Sequence, residues 1–174
     1  LHVGMSAHRA DTRARPADRK RQLADHAATL FAERGYTQVA LADIARAAGV
    51  TAPSVYRHFA DKHALLLAAV MGGVDELEAC TDRLLDDTDS SPEELVDAVC
   101  SIGVRRPAAT SLWRSASQHL SEEENRVIVL RIRGVMHRWA GVLAAGTGMP
   151  EREAVELCWA TLSVAGSLGV DNAR

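Results

Sequence analysis

Side chains that can hydrogen-bond to a nucleic acid cluster in one short stretch of this 174-residue chain, between positions 51 and 62. Arg57 can bond a guanine edge or a phosphate, and Ser54 and Tyr56 can donate to phosphate oxygens. His58 and Lys62 add nitrogen donors close by. The chemistry that these residues offer together is recognition of a DNA duplex.

Patterns that would indicate catalysis or metal binding are missing from the sequence. It has no glycine-rich phosphate loop, zinc-protease helix motif or serine elbow. His58 and His63 are five positions apart, off the i, i+4 spacing that shares a helix face. Cys80, Cys100 and Cys158 lack metal-ligand spacing and cannot all pair, so we expect reduced thiols in a cytosolic protein. We therefore expect no enzyme activity, no cofactor and no metal site.

Two short helices joined by a tight turn must position these donors. Apolar residues recur at i, i+3, i+4 and i+7 in the first helix, at Leu41, Ile44, Ala45 and Ala48. Gly49 can end that helix in a left-handed conformation. Thr51 stands where an N-cap belongs, with its hydroxyl expected to accept a backbone N–H, and Pro53 suits the first turn. Val55 and Phe59 then face inward.

Such a helix, glycine turn and capped second helix together describe a helix-turn-helix, whose second helix enters the DNA major groove. An ordinary helical hairpin within a core is the alternative that this stretch alone leaves open.

The flanking residues narrow that choice. The run GYTQVALADIARAAGVTAPSVYRHFADKHALL, 35–66, resembles the DNA-binding region of the tetracycline-repressor (TetR) family of transcription regulators. With the preceding helix, the matching pieces cover 17 to about 70. The resemblance implies an all-α fold, with a three-helix N-terminal helix-turn-helix followed by an antiparallel helical ligand-binding and dimerisation domain. It also implies DNA contacts from Thr51, Ala52, Pro53, Ser54, Tyr56, Arg57, His58 and Lys62, the last to a phosphate.

The sequence departs from the family pattern at three places. Val39 and Ala40 stand where a Thr or Ser usually caps the second helix, so Thr37 caps it from further out or its start is frayed. A polar residue is also missing at Ala42, and Ala52 offers only a methyl where relatives are often basic. These losses keep open a second possibility, a helical ligand-binding module without DNA activity; a helical enzyme is a third.

Composition and charge agree with a helical DNA-binding protein. Hydrophobic residues make up 47% of the chain, whereas aromatic residues make up 4%, so aliphatic helix packing must form the core. The net charge is −3, yet residues 1–60 carry nine basic and five acidic side chains, 9 − 5 = +4, which leaves −7 for the rest. A basic front joined to an acidic rear suits a nucleic-acid surface on a solvated body. No apolar run of membrane length occurs, so we expect a soluble cytoplasmic protein.

Three regions follow from these patterns. We predict a flexible basic arm over 1–16, a helix-turn-helix domain over 17–60, and a helical effector-binding and dimerisation domain over 61–174. Asp61 should cap a long helix, and Ser121 with Glu124 forms a capping box for another. The final residues supply no further helix of the kind most relatives have.

The resemblance also implies a homodimer built from the last two helices and a pocket for a small effector. The interface candidates are Trp139, Val142, Val155, Trp159 and Leu162, each of which could equally belong to the intrachain core. The segment 111–139 is similar to a subgroup associated with lipid metabolism and acyl-coenzyme A. Its candidate effector residues are Arg105, Arg106, Leu112, Trp113, Arg114 and His119. The expected function is a ligand-responsive repressor that binds a pseudo-palindromic operator.

Overall fold

The computed structural model describes residues 16–86, 91, 93–94, 97–98, 101 and 107–171, with side chains for all of these except 107–111 and 165–171. The regular structure within these residues is helical, which confirms the all-α prediction. The helices are α1 Pro16–Arg34, α2 Leu41–Ala47, α3 Ala52–Tyr56, α4 Lys62–Leu85, α5 Pro107–Ala116, α6 Glu122–Thr147 and α7 Glu151–Asp171. A single 3-10 turn, Ser117–His119, joins α5 to α6. The predicted arm, apart from Pro16, lies outside the described residues.

Local signals explain where several helices begin and end. Gly49 has φ +65°, the left-handed conformation expected after α2. The Asp61 carboxylate accepts the Ala64 N–H at 2.7 Å and so caps α4 as predicted. At α6 the predicted capping box is complete. The Ser121 hydroxyl accepts the Glu124 N–H at 3.2 Å, and the Glu124 carboxylate accepts the Ser121 N–H at 2.7 Å.

Helix α5 ends several residues before the Ser121 cap of α6. It stops at Ala116, and the chain tightens into the 3-10 turn. The side-chain amide of Asn125 donates to the carbonyls of Ser117 at 2.8 Å and Leu120 at 3.2 Å. Because these carbonyls have lost their helical partners, the amide satisfies them and stabilises the early end of the helix.

Packing joins the helix-turn-helix to the rest of the molecule. Helix α1 packs on α4 and α5, α4 packs on α6, and α5 and α6 both pack on α7. One cluster of buried apolar side chains runs from Phe31 and Ile44 at the N-terminal end through Leu66 to Met136. The position of α2 and α3 therefore depends on how α1 and α4 sit against the C-terminal helices. None of the helices in the described ranges is long and apolar enough to cross a membrane.

Candidate nucleic-acid interface

Helix α3 is held by two buried side chains and leaves its polar residues outside. Val55 is fully buried and Phe59 is nearly so, as the sequence predicted. Tyr56 keeps 57% of its surface exposed, and Arg57 is also exposed. An Arg57 Nη2–H donates to Ser54 Oγ at 3.1 Å, so these two side chains lie together on one outward face. This face presents a phenol, a guanidinium and a hydroxyl within one helical turn.

The predicted cap of α3 is wrong in one detail. Thr51 has the extended backbone of an N-cap, φ −86° and ψ 152°, but its side chain makes no capping hydrogen bond. The Thr51 carbonyl instead accepts the Ser54 N–H at 2.9 Å, which starts the helix through the backbone. Pro53, inside the first turn, has no N–H that would need a partner. The Thr51 side chain is exposed beside α3.

The remaining predicted contact residues differ in their exposure. Pro53 is exposed, whereas His58 and Ala52 are half-buried. Ala52 also packs against the hydrophobic core, so only part of its methyl surface faces outward. Ser54 is half-buried as well, so the exposed polar side chains in and beside α3 are those of Thr51, Tyr56 and Arg57.

Lys62 has a structural role that the sequence did not indicate. Its ammonium donates to the carbonyls of Tyr36 at 2.9 Å and Val39 at 3.1 Å, and it lies 4.2 Å from the centre of the Tyr36 ring. It therefore ties the first turn of α4 to the α1–α2 connection. An ammonium has three N–H donors, so one stays available for the predicted phosphate contact.

The start of α2 is ordered by a residue that the sequence analysis did not consider. Ala40 is the N-cap and has no side chain that could cap the helix, but the Asp43 carboxylate accepts the Ala40 N–H at 3.0 Å. This hydrogen bond is the main cause that lowers the pKa of Asp43, and the neighbouring Arg46 adds to it. Helix α2 begins at Leu41, and because Asp43 accepts the N–H of Ala40, Thr37 is not needed as a cap. The position of Asp43, three residues after the N-cap Ala40, was the sequence signal that could have predicted this hydrogen bond.

Comparison with known proteins agrees with this geometry. A family model described as "Bacterial regulatory proteins, tetR family" matches residues 23–69, which include α2 and α3. The HTH-type transcriptional repressor KstR2 of Rhodococcus jostii (strain RHA1) is 30% identical over 141 residues, covering 79% of this chain and 69% of the relative.

The chain belongs to the tetR family of bacterial regulatory proteins.

Two further relatives extend the comparison. The HTH-type transcriptional activator FasR of Mycolicibacterium smegmatis is 36% identical over 85 residues, 48% of this chain and 39% of the relative. The structure of the ketosteroid transcriptional regulator KstR2 of Mycobacterium tuberculosis superposes with a TM-score of 0.65 at 24% identity, covering 89% of this chain and 91% of that one, and so shows the shared fold. The protein is thus a DNA-binding transcription regulator with an N-terminal helix-turn-helix and a helical C-terminal region.

Four of the predicted effector residues of this tetR-family protein lie in the described part of the chain, and they have different surroundings. Leu112 is fully buried in the core, and Trp113 is half-buried, with the exposed Arg114 guanidinium 5.8 Å from its ring centre. His119 lies elsewhere, against Tyr36, with ring centroids 4.6 Å apart. Arg105 and Arg106 lie outside the described residues.

Trp139 was also a predicted interface residue, and its placement in the structure is intrachain. Only 3% of its surface is exposed, and its indole N–H donates to Thr81 Oγ1 at 2.9 Å. The Thr81 hydroxyl in turn donates to the Leu77 carbonyl at 2.8 Å. This buried network joins α6 to α4, so Trp139 belongs to the intrachain core, and its part in an interface stays a prediction.

The other interface candidates are half-buried. Val142, Val155, Trp159 and Leu162 all pack against the intrachain core. Among the side chains of α7 that the structure describes, the large apolar ones that are exposed are Leu157 at 46% and Val164 at 58%. They are seven residues apart and so share one helix face, with the exposed Ala160 between them. Sequence periodicity could not separate this outer face from the core face, because both carry apolar residues.

Proposed function

We propose that this regulator is a repressor that binds a pseudo-palindromic operator as a homodimer and is released by a small hydrophobic effector. In this proposal residues 17–60 form the DNA-binding domain, and 61–174 form the effector-binding and dimerisation domain. It acts in the cytoplasm, where bacterial DNA is accessible to it.

The observation that carries the DNA-binding proposal is the outward face of α3. Exposed Tyr56 and Arg57 accompany Ser54 on a helix whose other side is held by buried Val55 and Phe59. A helix held in this way can enter the major groove without losing its packing, and its early residues then meet base edges and phosphates. We assign base recognition to Arg57, and phosphate contacts to Ser54, Tyr56 and the remaining donor of Lys62.

Two-fold assembly follows from the small size of this face. A helix of five residues buries little DNA surface, and a dimer can place two such helices about 34 Å apart, one turn of DNA. The exposed apolar face of α7, with Leu157, Ala160 and Val164, supports an interface between two copies. Because Leu157, Ala160 and Val164 follow one another at i, i+3 and i+7, they form one apolar stripe that suits packing against the same helix of a second copy.

The effector proposal rests on the resemblance of segment 111–139 to lipid-responsive regulators. The name KstR2, which the Rhodococcus jostii relative bears, is also that of a protein described as a ketosteroid transcriptional regulator. We propose an effector with a large apolar part, such as an acyl-coenzyme A or a steroid. The effector would release DNA by binding more tightly to a second conformation of the dimer. In that conformation α4 holds the two helix-turn-helix domains at a spacing that does not match the operator.

The test of DNA binding begins with selection of duplexes from a random pool by the purified protein. Binding of the selected duplex is then followed by fluorescence anisotropy over a range of salt concentrations. Arg57→Ala should weaken binding about 5- to 150-fold for each protomer of the dimer, the value of one good contact to a base edge. Arg152→Ala is the matched control, since this exposed arginine of α7 pairs with Glu156 one turn away, within its own helix. Equal affinity of wild type and Arg57→Ala would show that α3 does not read the DNA.

A ligand-binding module without DNA activity is the second candidate. The observation that favours it is the apolar character of Ala42 and Ala52, together with the engagement of Lys62 by two carbonyls. Failure to select any duplex, combined with a thermal shift in the presence of a ligand, would favour this module over the repressor. The same thermal-shift assay, run with acyl-coenzyme A thioesters, free fatty acids and steroids, tests the effector class.

A further inference from the structure

Two consecutive residues at the start of α4 hold opposite parts of the molecule. Lys62 is bonded to the carbonyls of Tyr36 and Val39, in the connection that leads into α2. His63 points the other way, where its Nε2 lies 2.9 Å and 3.1 Å from the two carboxylate oxygens of Glu124 on α6. The first turn of α4 is thus a junction between the helix-turn-helix and the C-terminal helices.

The carboxylate of Glu124 is itself held in place. It accepts the Ser121 N–H within the capping box, so its position is set by the first turn of α6. The side chains of His63 and Glu124 retain 42% and 23% exposure, which makes this a partly shielded pair. The imidazole of His63 therefore contacts a carboxylate whose position in the first turn of α6 is fixed.

Further along the same two helices, stronger ion pairs join α4 to α6. Arg131 pairs with Glu78 through two nitrogens and with Asp75 at 2.7 Å, and Arg138 pairs with Asp82 at 2.7 Å. Partner numbers rise together along both helices, so α4 and α6 run parallel. Within the described residues, the end distant from the helix-turn-helix has two arginines, whereas the end next to it has only the His63–Glu124 pair.

The polar contacts between α4 and α6 are therefore stronger at the end distant from the helix-turn-helix than at the end next to it. The distal arginines keep the far half of α4 against α6, whereas near the helix-turn-helix the His63–Glu124 pair is added to apolar packing and to the contact between Tyr36 and His119. Loss of the His63–Glu124 pair would leave the ion pairs of Arg131 and Arg138 intact, while the first turns of α4 would be freer to tilt. Since Lys62 moves with those turns, the α1–α2 connection and α3 would tilt too.

We propose that His63 and Glu124 are positioning residues for DNA binding, because their contact holds the helix-turn-helix at the angle at which two protomers match the operator. Neither side chain touches DNA in this arrangement. The inference rests on the DNA-binding function proposed above.

The expected effect follows from population arithmetic. Without the His63–Glu124 contact, the helix-turn-helix domains sample more orientations. The apparent affinity for DNA then falls in proportion to the fraction of molecules whose orientation allows DNA binding. A partly exposed ion pair changes an equilibrium by about 1.5- to 5-fold, and each dimer contains two such pairs. We therefore expect about a 2- to 25-fold loss of DNA affinity.

Four variants test this. His63→Ala removes the imidazole, and His63→Gln restores an N–H donor near the former Nε2, so His63→Gln should recover most of the lost affinity. Glu124→Gln keeps an acceptor for the capping box but removes the charge, and it should match His63→Ala. Glu123→Gln is the control, because Glu123 pairs with Arg126 on the solvent face of the same turn. The affinities are measured by anisotropy on the selected duplex, well below each melting temperature.

Two readouts separate positioning from other roles. The slope of log affinity against log salt should stay that of wild type, because no phosphate contact is lost. In hydrogen-exchange mass spectrometry without DNA, amides in 36–40 and the first turn of α4 should exchange faster in His63→Ala and Glu124→Gln than in Glu123→Gln. This exchange measurement tests the tether even if the wild-type protein selects no duplex, in which case the proposed function fails separately.

Several results would overturn the inference. Unchanged affinity and unchanged exchange in both His63→Ala and Glu124→Gln would show that the pair restrains nothing. A salt slope reduced by about one per protomer in His63→Ala would mean that His63 contacts a phosphate directly. If the losses of His63→Ala and Glu124→Gln simply add in the double variant, the two side chains act independently and the tether is wrong.

Discussion

The outer face of α7 makes the dimer proposal quantitative. Leu157→Ala and Val164→Ala each shorten a side chain that is about half exposed in the monomer, 46% and 58%. Full burial of such a side chain stabilises by about 1.5–3 kcal/mol, so burying the exposed half contributes about 1 kcal/mol. A two-fold axis places each residue in the interface twice, which gives about 2 kcal/mol per substitution.

This free energy corresponds to roughly a 30-fold increase in the dimer dissociation constant for either variant, since each 1.4 kcal/mol is tenfold. The double variant should weaken the dimer about 1000-fold if the two contributions add. Sedimentation velocity over a range of protein concentrations measures the dissociation constant directly. The unfolding midpoint of the monomer should change little, because both side chains project away from the core.

Two outcomes would refute the reasoning. If both alanine variants dimerise like wild type, the interface lies elsewhere on the molecule. If instead they lose monomer stability while the dissociation constant stays unchanged, Leu157 and Val164 are covered by another part of the same polypeptide.

Three other substitutions probe the contacts within the chain. Trp139→Phe removes the N–H that donates to Thr81 and should lower the free energy of unfolding, measured by urea titration, by about 1–3 kcal/mol. The dimer dissociation constant should not change. A weakened dimer would mean that Trp139 also contributes to the interface. Ser121→Ala should cost about 1 kcal/mol through the lost cap of α6, measured in the same way, and no loss would mean that the box is not formed in solution. Glu124 has a pKa below its usual range, chiefly through the Ser121 N–H and next through His63. A carboxyl group whose pKa is lowered in the folded state stabilises the fold at pH values above its unfolded-state pKa. This stabilisation is lost as pH falls through the folded-state pKa. The free energy of unfolding of wild type relative to that of Glu124→Gln should therefore decrease between about pH 6 and pH 3. A difference that is flat over this range would contradict the pKa direction.

Features that depend on neighbours in the sequence were predictable. The left-handed Gly49, the Asp61 cap and the Ser121–Glu124 box each involve residues within one helical turn, where geometry is set by the backbone itself. The buried Val55 and Phe59 followed from i, i+4 spacing in the same way. The family resemblance depended on this local set, and it identified the helix-turn-helix correctly.

Even local patterns failed where two solutions compete. The sequence indicated a Thr51 hydroxyl cap, but the carbonyl of that residue alone begins α3. At α2 the absent cap residue pointed to a frayed start, whereas Asp43 supplies the missing acceptor from the following turn. In both cases the backbone N–H groups were satisfied, and the choice of acceptor depended on side-chain rotamers that sequence spacing does not determine.

Contacts between distant segments were decided by the tertiary structure alone. Trp139 reaches Thr81, His119 stacks on Tyr36, and Lys62 turns to the carbonyls of the α1–α2 connection. An apolar or cationic residue on a helix has several possible partners, and only the packing of α4 against α6 and α1 selects one of them. The sequence by itself therefore determined the helical class, the caps at Asp61 and Ser121 and the helix-turn-helix, because these depend on interactions within a turn. Which helix faces became core, outer surface or junction was decided by the fold, because that choice depends on side chains that meet only after the helices pack.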